Sequence, residues 1–156
     1  MRRKDREVTD FSRMLSILQD CDCCRLGLVE DGEAYIVPLN FGYDAEGDSL
    51  TLYFHSAAQG RKIDLVPSQK LVAFEADTGH QLVAGPEACD YTCRYSSVMG
   101  KGELTLLTDD NDRRHALERV MAHYTGREGW TYMPQYFGHM AMLRLTVRAW
   151  SCKVHD

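Results

Sequence analysis

Hydrophobic positions first recur along the chain with helical spacing. Phe11, Met14, Leu15 and Leu18 fall at i, i+3, i+4 and i+7, one face of a helix that Thr9 or Asp10 caps and that stops near Asp20. The period then changes. Cys24–Val29 reads as a strand, Glu30–Glu33 as a tight turn around Asp31-Gly32, and Ala34–Phe41 as the returning strand. Asp-Gly between two β-rich runs is a hairpin signal. Asp44–Asp48 forms a second turn. Leu50, Leu52 and Phe54 next alternate with Thr51, Tyr53 and His55, the pattern of a half-buried strand.

A small-residue loop, Ser56–Gly60, leads into a short helix over Arg61–Leu65 that Pro67 ends. Lys70–Asp77 reads as a strand and Gly79–Pro86 as irregular. Tyr91–Leu107 reads as one long strand in which Gly100 and Gly102 invite a bulge or kink. Asp109 or Asp110 caps the clearest helix. Its apolar face is Ala116, Leu117, Val120, Met121 and Tyr124, and Gly126 stops it. A loop or short helix carries Trp130, Tyr132 and Tyr136. In the last strand Ala141, Leu143, Leu145, Val147 and Ala149 share one face, and Met142, Arg144, Thr146, Arg148 and Trp150 the other. About six strands joined by turns too short for parallel crossovers predict a mainly β fold with flanking helices. A closed or nearly closed antiparallel barrel follows, with residues 1–156 as one domain.

Charge narrows the partners. Lys and Arg number 18 against 23 Asp and Glu, a net charge of -5, which argues against a broad nucleic-acid surface. A small anion held by a few local cations is still compatible. No apolar run reaches the roughly 18 residues of a membrane helix, and no apolar stretch follows the charged start. The expectation is a cytoplasmic protein with reduced thiols. Among the six cysteines only Cys89 and Cys93 have the spacing of a zinc knuckle, and they lack a second pair, so no metal site is expected. Nucleotide-loop, zinc-protease and nucleophile-elbow motifs are absent from the sequence.

Two stretches carry candidate chemistry. In His55-Ser56-Ala57-Ala58-Gln59-Gly60-Arg61-Lys62 a strand gives way to a small loop and then to a helix opened by two cations. A serine hydroxyl, the fork of donors on Arg61 and the compact charge on Lys62 suit a phosphate dianion. The alternative is a solvated helix start with His55 packed at a strand end. In Ile36-Val37-Pro38-Leu39-Asn40-Phe41, a proline inside a strand points to an edge, a bulge or a ligand meeting the backbone. Asn40 offers a donor and an acceptor to a flat heterocycle. The alternative there is an ordinary edge strand.

Together with Met1–Glu7 and His123-Tyr124-Thr125-Gly126, and in this order along the chain, these segments resemble the nitroimidazole-resistance (Nim-type) proteins. Those belong to the pyridoxamine 5′-phosphate oxidase-like flavin-binding split barrels. The resemblance implies a six-stranded antiparallel split β-barrel that forms a homodimer and binds FMN at two interface sites. It implies that Arg61 and Lys62 hold the FMN phosphate and that His55 and Ser56 lie beside phosphate and ring. Pro38, Leu39 and Asn40 would meet the isoalloxazine, while Ser97 (within Tyr95–Val98) and Trp150 would come from the partner subunit. His55 is the candidate catalytic residue, orienting substrate or supplying a proton; a plain hydrogen bond to phosphate or ribityl is its other role. Asn40 stands where pyridoxamine phosphate oxidases carry a lysine, and their C-terminal arginine signature is missing, so vitamin B6 oxidation is not implied. The expected activity is an FMN-dependent oxidoreductase. A reduced nicotinamide would be its donor, and a nitroimidazole or another small nitroaromatic its acceptor. A non-catalytic flavin-binding or redox-sensing protein, and a pyridoxamine-phosphate-oxidase-like or haem-binding split barrel, are the alternatives.

Overall fold

The computed structural model describes residues 3–156, so Met1 and Arg2 of the Met1–Glu7 segment lie outside the described residues. The elements run β1 (Glu7–Val8), α1 (Phe11–Gln19), β2 (Cys24–Glu30), β3 (Glu33–Leu39), β4 (Phe41–Glu46) and β5 (Ser49–Ala57). They continue as α2 (Arg61–Leu65), β6 (Val72–Val83), β7 (Thr92–Leu107), α3 (Asp110–Thr125), α4 (Pro134–Phe137) and β8 (Met140–His155). The antiparallel strands pair in the order β3-β2-β6-β7-β8-β5-β4, and β1 adds to β8. The two ends of this path, β3 and β4, are consecutive in the chain and meet at Asn40. The sheet therefore curls until its edges adjoin, which gives the split barrel. What the sequence reads as one return strand, Ala34–Phe41, is two, because the chain leaves the pairing of β3 with β2 at Asn40 and joins that of β4 with β5 at Phe41. With β1, this raises the strand count above the predicted six.

Local signals account for most elements. Asp10 caps α1 by accepting from the Arg13 amide at 2.8 Å, and Met14, Ile17 and Leu18 are its buried face. The β2–β3 turn has positive φ at both Asp31 (52°) and Gly32 (83°), the backbone that a two-residue hairpin needs. Asp109 caps α3 by accepting from the Asn111 and Asp112 amides, and left-handed Gly126 (φ 65°) closes it. Inside the barrel, Leu26, Leu52, Phe54, Val72, Leu145 and Cys152 are almost fully buried. A second cluster lies between α3 and the outside of the barrel, with Tyr53 and Met142 under Ala116, Leu117 and Val120.

Three findings depart from the sequence reading. Gly79–Pro86 is not all irregular: β6 runs on to Val83 across a bulge between Thr78 and Gln81. The last strand runs past Trp150 to His155. It also changes face, because Lys101 pairs with Ala149 and Gly102 with Val147, which leaves Arg148 without a partner in the ladder. An extra residue shifts the two-residue period by one. Leu143 and Leu145 point inward before it, and Cys152 and Val154 after it. Trp150 therefore turns to the inner side and meets Phe11 edge-on at 5.7 Å, instead of sharing a face with Met142. Gly102 permits the bulge, since a Cβ there would overlap the Thr146 carbonyl.

Among the described residues no helix is long and apolar enough to cross a membrane. A Cβ on Gly42 would run into the α3 backbone at Arg119 and Val120, so its absence lets α3 lie directly on β4. Gly42→Ala is expected to push α3 outward and to destabilise the protein by about 1–3 kcal/mol, the scale of overpacking. A urea unfolding curve reads this as a lower midpoint; an unchanged midpoint contradicts it.

Candidate functional site

Strand alternation sorts the end of β5. His55 pairs with Met142 and Ser56 with Ala141, so the two side chains leave opposite faces of the sheet. Ser56 faces inward at the barrel mouth, is 8% exposed, and donates to the Ala57 carbonyl at 3.0 Å. His55 lies on the α3 side with Tyr53 and Met142, and its Nδ1 is buried without a hydrogen-bond partner among the described residues. Asn40 precedes the Phe41–Phe54 pair by one residue, which brings it alongside His55. The Tyr124 hydroxyl donates to the Asp22 carbonyl at 2.7 Å and accepts from the Phe41 amide at 3.3 Å, next to the exposed Asn40.

Beyond β5 the chain turns through Gly60, whose φ of 125° no other residue adopts at ease. Arg61 and Lys62 follow at once. Arg61 Nε donates to Glu30 Oε2 at 2.6 Å, its NH2 group pairs with the same oxygen, and its guanidinium lies 4.2 Å over the Tyr35 ring. Lys62 is half-buried and has no ion pair among the described residues. Ser56 thus ends β5 inside the barrel mouth, and Arg61 and Lys62 open α2 just beyond it. The sequence reading did not foresee Glu30 and Tyr35, and no pattern in the sequence ties that hairpin to α2.

The remaining candidates divide between faces. Pro38 sits on the edge strand β3, points outward and pairs with Arg25, while Leu39 pairs with buried Cys24 on the inner side. Ser97 pairs with Asp77 and Lys153 on the outer face. Trp150 faces inward. Ser97 lies on the far half of β7, ten residues or about 33 Å of strand before Leu107, which adjoins the Met142 position beside His55. One chain therefore does not bring Ser97 to Ser56 along these strands.

The outer face of β2, β6, β7 and β8 differs from the face under α3. Its rows run Ile36, Gly27, Ala73, Lys101, Ala149 and Pro38, Arg25, Glu75, Met99, Ser151. Ile36 and Met99 are 57% and 58% exposed on it, and a shallow groove of about 440 Å³ runs between Ala73, Met99 and Ala149. Toward one end it turns polar. Arg25 bonds Glu75 at 3.0 Å and Asp77 at 2.7 Å, and Lys153 holds the Tyr95 hydroxyl below its ordinary pKa.

Burial sets the state of several groups. Desolvation pushes the Cys21 and Cys152 thiols up to about 12, so both stay protonated near neutrality. All six cysteines are free, with Cys89 and Cys93 exposed. Desolvation also lowers the pKa of His55 and His123. The His123 Nε2 bonds the Cys21 carbonyl at 2.8 Å, and its ring packs on Phe41 at 4.3 Å.

Comparison with known proteins bears on this geometry. The pyridoxamine 5′-phosphate oxidase family pattern matches residues 10–154. The chain belongs to that family. Among solved structures it is similar to a candidate 5-nitroimidazole antibiotic resistance protein from Bacteroides thetaiotaomicron. The two are 32% identical with a TM-score of 0.80, over 95% of this chain and 86% of that one. The flavocytochrome Anf3 from Azotobacter vinelandii shares the fold at 21% identity and TM-score 0.79, over 100% and 72% of the chains. A FAD and haem binding protein from Mycobacterium smegmatis does so at 19% and 0.75, over 97% and 74%. No curated protein matches the chain.

The two half-buried histidines make stability depend on pH. Their folded pKa values lie below the unfolded value of about 6.5, so the unfolded chain binds more protons in that window. The stability they allow is fully present above pH about 6.5 and is lost as the pH falls toward the folded values. His123→Gln, which keeps a donor for the Cys21 carbonyl, is expected to flatten the fall in melting temperature between neutral and mildly acidic pH. A slope identical to wild type counts against the assignment.

Proposed function

We propose that the protein is an FMN-dependent oxidoreductase of the Nim type, acting in the cytoplasm as a homodimer on nitroimidazoles or other small nitroaromatic acceptors. The observation that carries the reading is the succession of Ser56, Arg61 and the unpaired Lys62 from the end of β5 to the start of α2, in a chain of this family. The 32% identity to the B. thetaiotaomicron protein supports the choice of acceptor.

The residues present fit a phosphate. Lys62 supplies an ammonium with no carboxylate partner among the described residues, Ser56 a hydroxyl that can exchange its bond to Ala57, and Arg61 a second cation. At Gly60 no heavy atom lies within 4 Å of where a Cβ would stand, so the loop leaves open space beside these groups. When bound, FMN supplies two-electron redox chemistry between a reduced nicotinamide and the acceptor. The protein's part is to anchor and orient. Lys62 and Ser56 fix the phosphate end. Asn40, where the chain passes from β3 to β4, would offer its amide to the flavin ring, and Pro38 and Leu39 would meet it from β3. A proton from His55 requires the acceptor to sit on the α3 side of β5.

The open outer face supports the dimer. It is the sheet face that α3 leaves uncovered, it exposes Ile36 and Met99, and a second copy seated on it would supply a Ser97 that the same chain keeps distant.

Purified protein is expected to take up FMN and to turn yellow. Lys62→Ala is expected to weaken FMN binding at least tenfold, since a charge-assisted hydrogen bond contributes about 1.5–3 kcal/mol. A titration indistinguishable from wild type refutes the cradle. Bleaching by reduced nicotinamide followed by reoxidation on adding a nitroimidazole separates the enzyme from a passive flavin carrier, which would show neither. Sedimentation of the FMN-loaded protein as a dimer is expected; a loaded monomer counts against the shared site.

A further inference from the structure

Of the two cations in the phosphate loop, Arg61 is already engaged. Its Nε and NH2 groups both address one carboxylate oxygen of Glu30, and its guanidinium stacks on Tyr35. Glu30 closes β2 and Tyr35 lies in β3, so both contacts tie α2 to the same hairpin. A guanidinium binds carboxylate and phosphate through the same planar fork of donors. Glu30 thus occupies the side-on edge of the guanidinium, Nε with NH2, which is one of the edges a phosphate would use.

We propose that Glu30 is an internal substitute for the cofactor phosphate: it holds the side-on edge of Arg61 on the β2–β3 hairpin in the ligand-free protein, and the phosphate gains that edge by displacing it. This rests on the assignment of Ser56, Arg61 and Lys62 to the FMN phosphate. Loading then has an order. Lys62 has no carboxylate to leave and meets the phosphate first; Arg61 follows by exchange.

The exchange is feasible because the pair is exposed, with 55% of the Arg61 side chain and 35% of the Glu30 side chain open to solvent. Exposed ion pairs are weak, so a dianion can compete. Glu30 nevertheless opposes phosphate binding twice, by occupying Arg61 and by placing a negative charge beside the incoming one. That opposition falls only on ligands that carry the phosphate, which makes Glu30 a determinant of how strongly FMN is preferred over riboflavin. The hairpin keeps a second tether. The Gln69 side chain accepts from the Val29 amide at 2.9 Å and donates to the Val29 carbonyl at 2.9 Å, in the manner of a neighbouring strand. Releasing Glu30 therefore does not release the hairpin, and Glu30→Gln is expected to fold.

The test is a set of fluorescence titrations with FMN and with riboflavin, on wild type, Glu30→Gln, Arg61→Ala and the double variant. Glu30→Gln is expected to tighten FMN about two- to fivefold, the scale of an exposed ion pair, and to leave riboflavin unchanged. With Arg61 already replaced by Ala, the gain is expected to shrink. The inference is overturned if Glu30→Gln weakens FMN, if the ratio of FMN to riboflavin affinity does not move, or if the gain is undiminished without Arg61. Equal affinity of the wild type for FMN and riboflavin would instead remove the phosphate assignment itself, and the exchange with it.

Discussion

The unpaired Arg148 is the constraint on which the rest of the barrel depends. β7 and β8 are each 16 residues long and pair along most of that length. Two strands of that length would keep one set of positions inward throughout, and the apolar alternation of β8 does not permit it. The skipped residue moves the inward set from Leu143 and Leu145 to Trp150, Cys152 and Val154. Arg148 itself stays outside and bonds Glu103 at 2.8 Å. One barrel thereby packs two differently phased halves of the same strand. The same step puts Ala149, Ser151 and Lys153 on the outer face beside Met99 and Ser97.

Two outer surfaces of opposite character result. Over β4 and β5 the absent Cβ of Gly42 admits α3, and a second apolar cluster forms beneath it. Among the described residues no helix is seated on the outer face of β2, β6, β7 and the far half of β8, and small residues such as Gly27, Ala73 and Ala149 line it. The candidate phosphate groups stand where β5 leaves the barrel, close to the point at which β3 and β4 part. Pro38 on β3 and Ser56 on β5 lie on either side of the change of partner at Asn40.

Several arginines are engaged by the chain's own carboxylates. Arg25 is taken by Glu75 and Asp77, Arg113 by Asp110, Arg148 by Glu103 and Arg61 by Glu30. Lys62, half-buried at the start of α2, has no ion pair among the described residues.

Helix limits, the Asp31-Gly32 hairpin and the bend at Gly102 were legible in the sequence, because each depends on the chemistry of a few neighbouring residues: a cap, a positive φ, a missing Cβ. The Ser56–Lys62 loop was legible for the same reason, its members being consecutive. The opposite facings of His55 and Ser56 also follow from alternation alone. Other features depend on pairings between distant parts of the chain. The break at Asn40 reflects a change of partner from β2 to β5, the inward turn of Trp150 reflects a register step opposite β7, and the hold of Glu30 on Arg61 joins residues 31 positions apart. Local preference determined which segments are strands and where a phosphate has donors. Register and closure, set by packing across the whole sheet, decided which faces those strands show and which carboxylate already occupies one of the donors.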